Sequence, residues 1–505
     1  MEILLSLLPI VLLIVLMAVL KQPGDRSSLI TLAATAIIAI FGFKYSVHDT
    51  AFTFLYGATK AISPILIIIL MAIFSYNTLL LTGKMEVIKQ QFSSISTDRS
   101  IQVLLLTWGF GGLLEAMAGF GTAVAIPAAI LISLGYKPIF AAVSCLIANS
   151  VATAFGAIGT PVIVLANETE LPVNALSTDV VLQLSPLMFL IPLILVFLAD
   201  HRKAAFLKNI VLAVLVGIVS LGGQYVSARF MGAESPAIIG SLLSIIVIII
   251  AAKVQKKVSH TDDSAAPVGS QIPAGQLLNA WSVYLLILFL VIITSPLFPS
   301  IRGVLNGTCI STLTFPIEGV KPYKIHWLTH AGLLLFIGTF VGGLIQGASP
   351  KALFGTLWRT TKALKKTIIT VICLVGFSTL MDYSGMITVI AGSLAAATGS
   401  LYPLFAPLVG GLGTFITGSD TSSNILFGKM QATVAGHIGA PSDWLSAANT
   451  VGATGGKIIS PQSIAIATSS CGLQGKEGHI LKEAFPYALF YIIVSGLVVY
   501  FFAGA

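Results

Sequence analysis

Three ionisable residues lie in otherwise apolar stretches of this sequence: Glu115, Asp420 and Lys457. A charge at membrane depth is costly, so such residues are usually functional. Asp420 lies in the run GSDTSSN, and Lys457 lies in the run ANTVGATGGKIISP. We expect the two to face each other closely enough to pair, which lowers the cost of burying both. A static structural ion pair is the alternative.

Glu115 has apolar neighbours and lies four residues before Gly119. Because desolvation favours the neutral form of a carboxyl group, Glu115 is a candidate proton carrier, together with Asp420. The alternative is a Glu115 that bonds a neighbouring hydroxyl and never titrates.

The apolar stretches are also interrupted by glycine-rich turns at GFGT and GSDTSSN and by breaks at GAIGTP and GATGGKIISP. Interrupted helices cannot face lipid, so these segments line a cavity or are buried in protein. The free N–H groups at the start of a helix can bind a carboxylate. Capping of helices is the alternative role for the Asn, Ser and Thr residues. The candidate binding residues for a small anion are Gly119, Phe120, Gly121, Thr122, Asn149, Ser150, Ser419, Thr421, Ser422, Asn449, Thr450 and Lys457.

Composition restricts the class of protein. Of the 505 residues, 56% are hydrophobic and 9% are charged, against about 25% charged in soluble proteins. The mean hydropathy is +0.98, and apolar runs long enough to cross a bilayer recur along the chain. The sequence predicts an all-α polytopic membrane protein with no nucleic-acid partner, because basic residues in such proteins mark cytoplasmic loops. We find no pattern typical of an enzyme, a cofactor or a metal site.

Loop charge predicts the topology. The basic linker 347–366 is expected inside and the acidic loop 167–179 outside. These positions are consistent if 101–134 and 401–435 are re-entrant hairpins, which gives about twelve crossings with both termini outside. Apolar segments are expected at 3–20, 27–43, 59–82, 101–134, 139–166, 180–199, 207–225, 236–252, 277–296, 327–346, 366–382, 401–435, 443–471 and 484–503.

The chain also contains an internal repeat. GGLLEAMAGFGT (111–122) aligns with GGLGTFITGSDT (410–421), and ANSVATAFGAIGTP (148–161) aligns with ANTVGATGGKIISP (448–461). In the predicted topology the two copies run in opposite directions across the membrane, as in secondary transporters. We therefore expect a first inverted repeat at 1–200, two linking spans and a cytoplasmic linker at 201–276, and a second repeat at 277–505. The broken helices are expected at 139–166 and 443–471.

These motifs resemble the L-lactate permease family of bacteria. The resemblance rests on WGFGGLLEAMAGFGTAVAIPAAILISLG (108–135), IANSVATAFGAIGTPV (147–162), GSDTSSNILFGKMQ (418–431) and AANTVGATGGKIISPQSIAIA (447–467). It implies proton-coupled uptake of L-lactate, with D-lactate and glycolate as further candidates, across the bacterial inner membrane. The family is also similar to the wider ion transporter superfamily, in which a transport domain moves against a scaffold. Scaffold faces often dimerise there, so a homodimer stays open.

The main hypothesis is lactate–proton symport by alternating access. A sodium-coupled carboxylate carrier of the same fold is the first alternative, since hairpin carbonyls and Asn or Thr side chains also suit Na⁺. A membrane sensor without transport is the second, and the repeat argues against it.

Overall fold

The protein is nearly all helical. The computed structural model describes residues 2–20, 22–93, 95–119, 121–200, 202, 205–258, 272–317, 320, 322–473 and 475–503. Within these ranges, ten helices are long and apolar enough to cross a bilayer, or eleven if one bent pair counts as a single span. The chain is therefore a polytopic membrane protein, although this count differs from the about twelve crossings expected from loop charge.

The N-terminal helices lead to a first pair of apolar helices, α7 and α8, and the described residues between them, Ala118, Gly119 and Gly121, are here called the first tip. A π-helical stretch, Leu104–Phe110, joins α6 to α7. The bounds are α1 Glu2–Ile14, α2 Gly24–Gly42, α3 Val47–Lys60, α4 Ile67–Leu81, α5 Lys84–Ser93, α6 Arg99–Val103, α7 Gly111–Met117 and α8 Thr122–Ser133.

A helix that is interrupted near its middle comes next, and three long helices follow it along the chain. The interruption separates α9 from α10, whose axes differ by 47°. The bounds are α9 Pro138–Thr153, α10 Gly156–Thr169, α11 Val173–Ala199, α12 Phe206–Phe230 and α13 Pro236–Val258.

The rest of the chain begins with a different set of helices. It ends, like residues 99–199, with a pair of helices joined by a turn, then an interrupted helix, then a long helix. The turn at residues 418–419, between α20 and α21, is here called the second tip. The bounds are α14 Ala274–Ile293, α15 Pro299–Gly307, α16 Ala331–Ile345, α17 Pro350–Ala363, α18 Lys365–Tyr383, α19 Met386–Thr398, α20 Tyr402–Thr417, α21 Asp420–Ile438, α22 Ser442–Lys457, α23 Pro461–Ser470 and α24 Glu477–Phe501.

A small β-hairpin corrects the all-α expectation. Strand β1, Ile310–Leu313, pairs antiparallel with β2, Tyr323–His326. Both strands are rich in β-branched and aromatic residues, which suit a half-exposed sheet. The hairpin lies between the predicted apolar segments 277–296 and 327–346.

Five helices lie outside, or almost entirely outside, the predicted apolar segments, namely α3, α5, α15, α17 and α19. Helix α3 has the sequence VHDTAFTFLYGATK. Its polar residues lower its mean hydropathy, so a search for apolar segments does not find it. Its start is set by Ser46, whose hydroxyl accepts a hydrogen bond from the Asp49 N–H, a normal N-cap. Helix α19 is too short, at 13 residues, to read as a span.

The two predicted breaks are present, and their geometries differ. In the first, Ala157, Ile158 and Gly159 all have positive φ, a conformation that costs energy for residues with a Cβ atom. A Cβ atom on Gly159 would lie 2.0 Å from the Ala233 carbonyl oxygen, so only glycine fits. In the second break, Ser460 caps α23 and Pro461 occupies its first turn, the position where proline is favourable.

Glycines allow α20 and α22 to pack backbone against backbone. A Cβ atom on Gly452 would lie 1.8 Å from the Pro407 carbonyl oxygen, and one on Gly410 would lie 2.0 Å from the Asn449 carbonyl oxygen. Small residues at helix interfaces let helices approach in this way in membranes. The contact holds the second break beside the second tip.

We predict that Gly452→Ala separates these helices and destabilises the protein by at least about 2 kcal/mol, because the added methyl group meets backbone that cannot turn aside. The measurement is the unfolding midpoint of purified protein in detergent. Gly436→Ala on α21 is the matched control, since nothing lies within 4 Å of a Cβ atom there. A Gly452→Ala variant as stable as Gly436→Ala would contradict the packing argument.

Candidate functional site

Both tips and both breaks meet at one cavity of about 330 Å³. Its wall is formed by residues of α4, α7, α8, α9, α10, α20, α21, α22 and α23, together with the first half of α18 and the region between α1 and the start of α2. Most of the predicted site residues line it, from two regions of sequence about 300 residues apart. These lining residues are Glu115, Gly119, Gly121, Asn149, Ser419, Asp420, Thr421, Ser422 and Lys457.

The cavity runs from the protein surface to a buried end. Pro23 and Lys366 are exposed lining residues, whereas Glu115, Asn149 and Asp420 are buried. Pro23 precedes α2 and Lys366 begins α18, so both lie at helix ends on one face. This is the face that loop charge assigns to the cytoplasm.

Glu115 projects from α7 towards the first break. Its side chain is buried, with 4% of the residue exposed. A Cβ atom on Gly156 would lie 2.8 Å from Glu115 Oε1, so the glycine leaves room for the carboxylate. Asn149 faces the same carboxylate. Glu115 Oε2 and Asn149 Oδ1 have no hydrogen-bond partner among the described residues.

Asp420 is the first residue of α21 and is also buried. Neither of its carboxylate oxygens has a hydrogen-bond partner within the described chain, although Thr153 and Thr414 lie beside it. Ser419 caps the helix by accepting a hydrogen bond from the Ser422 N–H. The N-terminal end of a helix favours a negative charge, and this compensates for part of the burial of Asp420.

Lys457 does not pair with Asp420 as the sequence analysis expected. Both residues are described, and no contact of 4 Å or less joins their charged atoms. Lys457 Nζ instead donates a hydrogen bond to the Gly418 carbonyl oxygen at 3.0 Å. Gly418 ends α20 and Lys457 ends α22, so the ammonium group lies at the negative ends of two helices. It still interacts electrostatically with both Asp420 and Glu115.

Asn449 and Thr450 do not line the cavity. Asn449 Nδ2 donates to Asn424 Oδ1 at 2.9 Å, and the Thr450 hydroxyl shares hydrogen bonds with the same amide group. Asn424 Nδ2 also donates to the Pro161 carbonyl oxygen at 2.9 Å. The amide of Gln431 joins the network by donating to Asn449 Oδ1. These buried groups bind one another and tie the second hairpin to the first break.

Two further predicted residues, Thr122 and Ser150, are described but do not line the cavity. The hydroxyl of Thr122 donates to the Gly119 carbonyl oxygen, and that of Ser150 donates to the Ile147 carbonyl oxygen. Both bonds lie within the local turn or helix, as in the capping alternative. Phe120 lies outside the described residues.

The sequence analysis missed one residue of the buried network and several residues that line the cavity. Asn424 was missed as the centre of the buried network, although it ends the quoted run GSDTSSN. Thr160 and Gln462 line the cavity beside the prolines that follow the two breaks. Their proximity to the breaks was a usable signal. No sequence signal pointed to the lining residues Asp25 and Lys366, because a charge at the end of a predicted span is ordinary.

We predict that Lys457→Met destabilises the protein by about 1–3 kcal/mol, because it removes a charged hydrogen bond and leaves two buried acids without a nearby base. In combination with Asp420→Asn the loss should be smaller than the sum of the two single losses, by at least about 0.5 kcal/mol. Unfolding free energies of the four proteins give the coupling. Additive losses would show that the two side chains do not interact.

Known proteins resemble this chain along nearly its whole length. A family model described as L-lactate permease matches residues 2–504. An L-lactate permease of Streptococcus iniae is 42% identical over 443 residues, which cover 88% of this chain and 93% of that protein. The glycolate permease GlcA of Escherichia coli K12 is 35% identical over 534 aligned residues, covering 98% of this chain and 94% of that protein.

Among solved structures, the YdaH transporter of Alcanivorax borkumensis is similar at a TM-score of 0.47 and 15% identity. The match covers 86% of this chain and 84% of that one. A likeness this distant supports no argument about the site.

Proposed function

Because the chain belongs to the L-lactate permease family, we propose that it carries L-lactate and other short 2-hydroxy monocarboxylates, glycolate and D-lactate among them, by proton symport across the bacterial cytoplasmic membrane. Membership of a permease family points to a transporter rather than an enzyme. The observation that carries the proposal is the cavity in which Glu115, Asn149 and Asp420 all leave oxygen atoms without partners. A buried polar atom without a partner calls for an explanation, and the unpartnered oxygens of these three residues belong to side chains that line one cavity, where a ligand could bind them.

The architecture that suits this function is an inverted repeat with alternating access. The order of a tight-turned helix pair, an interrupted helix and a long helix occurs twice, at α6–α11 and at α20–α24. The first copy belongs to residues 1–200 and the second to residues 277–505. The two re-entrant hairpins, the about twelve crossings and the external termini are part of the same proposal.

Contacts between distant segments support the proposed sidedness. Asp98, before the first hairpin, contacts Lys208 at the start of α12 and Gln255 near the end of α13. The predicted topology places all three on the inner face. Gln183 of α11 donates to the Trp444 carbonyl oxygen of α22, which joins two segments predicted to lie near the outer face.

The substrate carboxylate would bind at the second tip, near the first N–H groups of α21 and the Lys457 ammonium group. The first turn of a helix offers N–H groups without acceptors inside the helix. Lys457 already lies within 3.0 Å of the Gly418 carbonyl oxygen, so it is held at this position. The substrate hydroxyl would bond Asn149 or the hydroxyl residues Thr421 and Ser422, which also line the cavity.

Charge balance explains why a proton would accompany the anion. Glu115, Asp420 and Lys457 together carry one net negative charge when all are ionised. Binding of an anionic substrate adds a second negative charge, and a proton on Glu115 or Asp420 removes it. The loaded and the empty site then have the same net charge, so reorientation does not add a further buried charge.

We predict that proteoliposomes accumulate lactate when the outside is acidic and that a sodium gradient alone has no effect. Protein-free liposomes are the control, because neutral lactic acid crosses bilayers unaided. Accumulation that follows sodium and ignores the pH gradient would favour the sodium-coupled alternative. The absence of uptake with any gradient would favour a sensor.

We predict that Glu115→Gln loses lactate accumulation driven by the pH gradient but retains exchange of internal for external lactate. A neutral amide imitates the protonated acid and lets the loaded carrier reorient, but it cannot release a proton. The measurements are gradient-driven uptake and counterflow in the same vesicles. Glu86→Gln is the matched control, since Glu86 is exposed on α5. Full gradient-driven uptake by Glu115→Gln would make Asp420 the better candidate carrier.

A further inference from the structure

Two ion pairs lie outside the cavity and connect different sets of helices. Lys60 Nζ of α3 lies 3.2 Å from Glu168 Oε1 of α10, and both side chains are buried, with 8% and 3% exposed. Lys429 Nζ of α21 lies 3.7 Å from Asp382 Oδ2 of α18. In both pairs one partner belongs to a helix of the first break (α10) or of the second hairpin (α21). The other partner belongs to a neighbouring helix, α3 or α18.

The four residues form a single electrostatic cluster. Glu168 interacts with Lys429 and Asp382 as well as with Lys60, and Asp382 interacts with Lys60 as well as with Lys429. Each acid is therefore near both bases, and the charges of these four residues sum to zero, while the exposed Glu170 adds a negative charge near Asp382. The Lys60–Glu168 pair is stable only while its partners stay together, because parting them leaves buried charges uncompensated. Asp382 and Lys429 are each 28% exposed, so parting them costs less.

Aromatic residues pack around Lys60 of this electrostatic cluster. The Tyr56 ring lies 5.6 Å from Lys60 Nζ and contacts Phe315, Tyr323 and Tyr383. Phe315 and Tyr323 belong to the segment that carries the β-hairpin. The segment that carries the β-hairpin, which lies outside the predicted spans, therefore covers the cluster.

Helix α18 shows that the cluster lies far from the mouth of the cavity. Lys366, at its start, lines the cavity near the exposed end, and Asp382 lies sixteen residues later, close to the helix end. At 1.5 Å per residue the two are about 24 Å apart along the axis. Helix α10 likewise runs from the cavity at Gly156 to Glu168 near its other end. The cavity is open at one face, and the charged cluster closes the opposite face.

We propose that Lys60, Glu168, Asp382 and Lys429 form the outer gate of the carrier. The two ion pairs hold α10 and α21 against α3 and α18 while the cavity is open to the inside, and both pairs part when the site turns outward. They are positioning residues, because they lie away from the cavity and act through the helices that carry it. The inference rests on the alternating access of the proposed function.

A cysteine reporter tests the gate without using any substrate. Val164 lies on α10 one turn before Glu168, is fully buried, and packs in the apolar cluster that contains Ile65 and Ile69. Val164→Cys is introduced into a protein whose Cys145, Cys309, Cys373 and Cys471 are replaced by serine or alanine. Its labelling by a membrane-impermeant maleimide from outside then reports opening of the outer face.

We predict that Lys60→Gln and Asp382→Asn each increase the labelling rate of this reporter about tenfold, because each removes an ion pair that the closed state alone contains. Lys60→Gln also leaves Glu168 as a lone buried charge, which favours the hydrated, open state. Exchanging the charges with Lys60→Glu and Glu168→Lys should return the rate towards that of the parent. A merely structural role would not produce this recovery. Elution as a single species on size exclusion shows that each variant is folded.

Lys208→Gln is the matched control, since it breaks the ion pair with Asp98, which lies away from the outer cluster. It should leave the labelling rate unchanged. A variant that keeps only the exposed Cys309 tests the sidedness, because that residue lies beside β1 and should react from outside. Labelling of folded Lys60→Gln and Asp382→Asn at the parental rate would overturn the gate, and so would labelling of Cys309 only after permeabilisation. A wrong substrate assignment would leave all these labelling rates unaffected.

Discussion

The structure depends on placing charges and helix ends inside a bilayer, where water is not available to solvate them. Two of the three charged residues at the cavity, Asp420 and Lys457, lie at a helix end of the favourable sign, whereas Glu115 lies on α7 two residues before its last residue. Asp420 begins α21, and Lys457 lies where α20 and α22 both end. The interruptions that expose polar backbone therefore also provide the dipoles that stabilise the charges. This makes a direct ion pair between Asp420 and Lys457 unnecessary and leaves the carboxylate oxygens free.

Close packing in the second hairpin makes this arrangement rigid. Gly410 and Gly452 bring α20 and α22 into backbone contact. The Asn424 amide then reaches both Thr450 and the Pro161 carbonyl oxygen of the other break. The polar groups of this network have their hydrogen bonds largely satisfied, whereas Glu115, Asn149 and Asp420 present atoms without partners to the cavity. The contrast separates residues that hold the site together from those that are available to a ligand.

The residues that recur in the internal repeat are not the residues that carry charge at the cavity. The glycines and asparagines recur in both halves, and they set the turns, the breaks and the close helix contacts. The charges do not recur: Ala157 aligns with Lys457, and Glu115 and Asp420 have no acidic counterparts at the aligned positions. The duplicated positions thus build the frame, and the unduplicated ones make the two halves of the cavity chemically different. The buried charges on the far side, such as Lys60 and Glu168, likewise join segments that are remote in sequence.

The sequence by itself determined the membrane class, the positions of the two breaks and nine of the residues that line the cavity. Its local signals were sufficient because breaks follow from glycine and proline, and a buried charge is conspicuous among apolar neighbours. It missed α3, whose polar residues lower its hydropathy, and the strands near Ile310. Only the tertiary structure decided that Lys457 bonds Gly418, that Asn449 and Thr450 serve a buried network, and that Lys60 meets Glu168. Those outcomes depend on which side chains packing brings within hydrogen-bond distance, and no spacing along the chain encodes that distance.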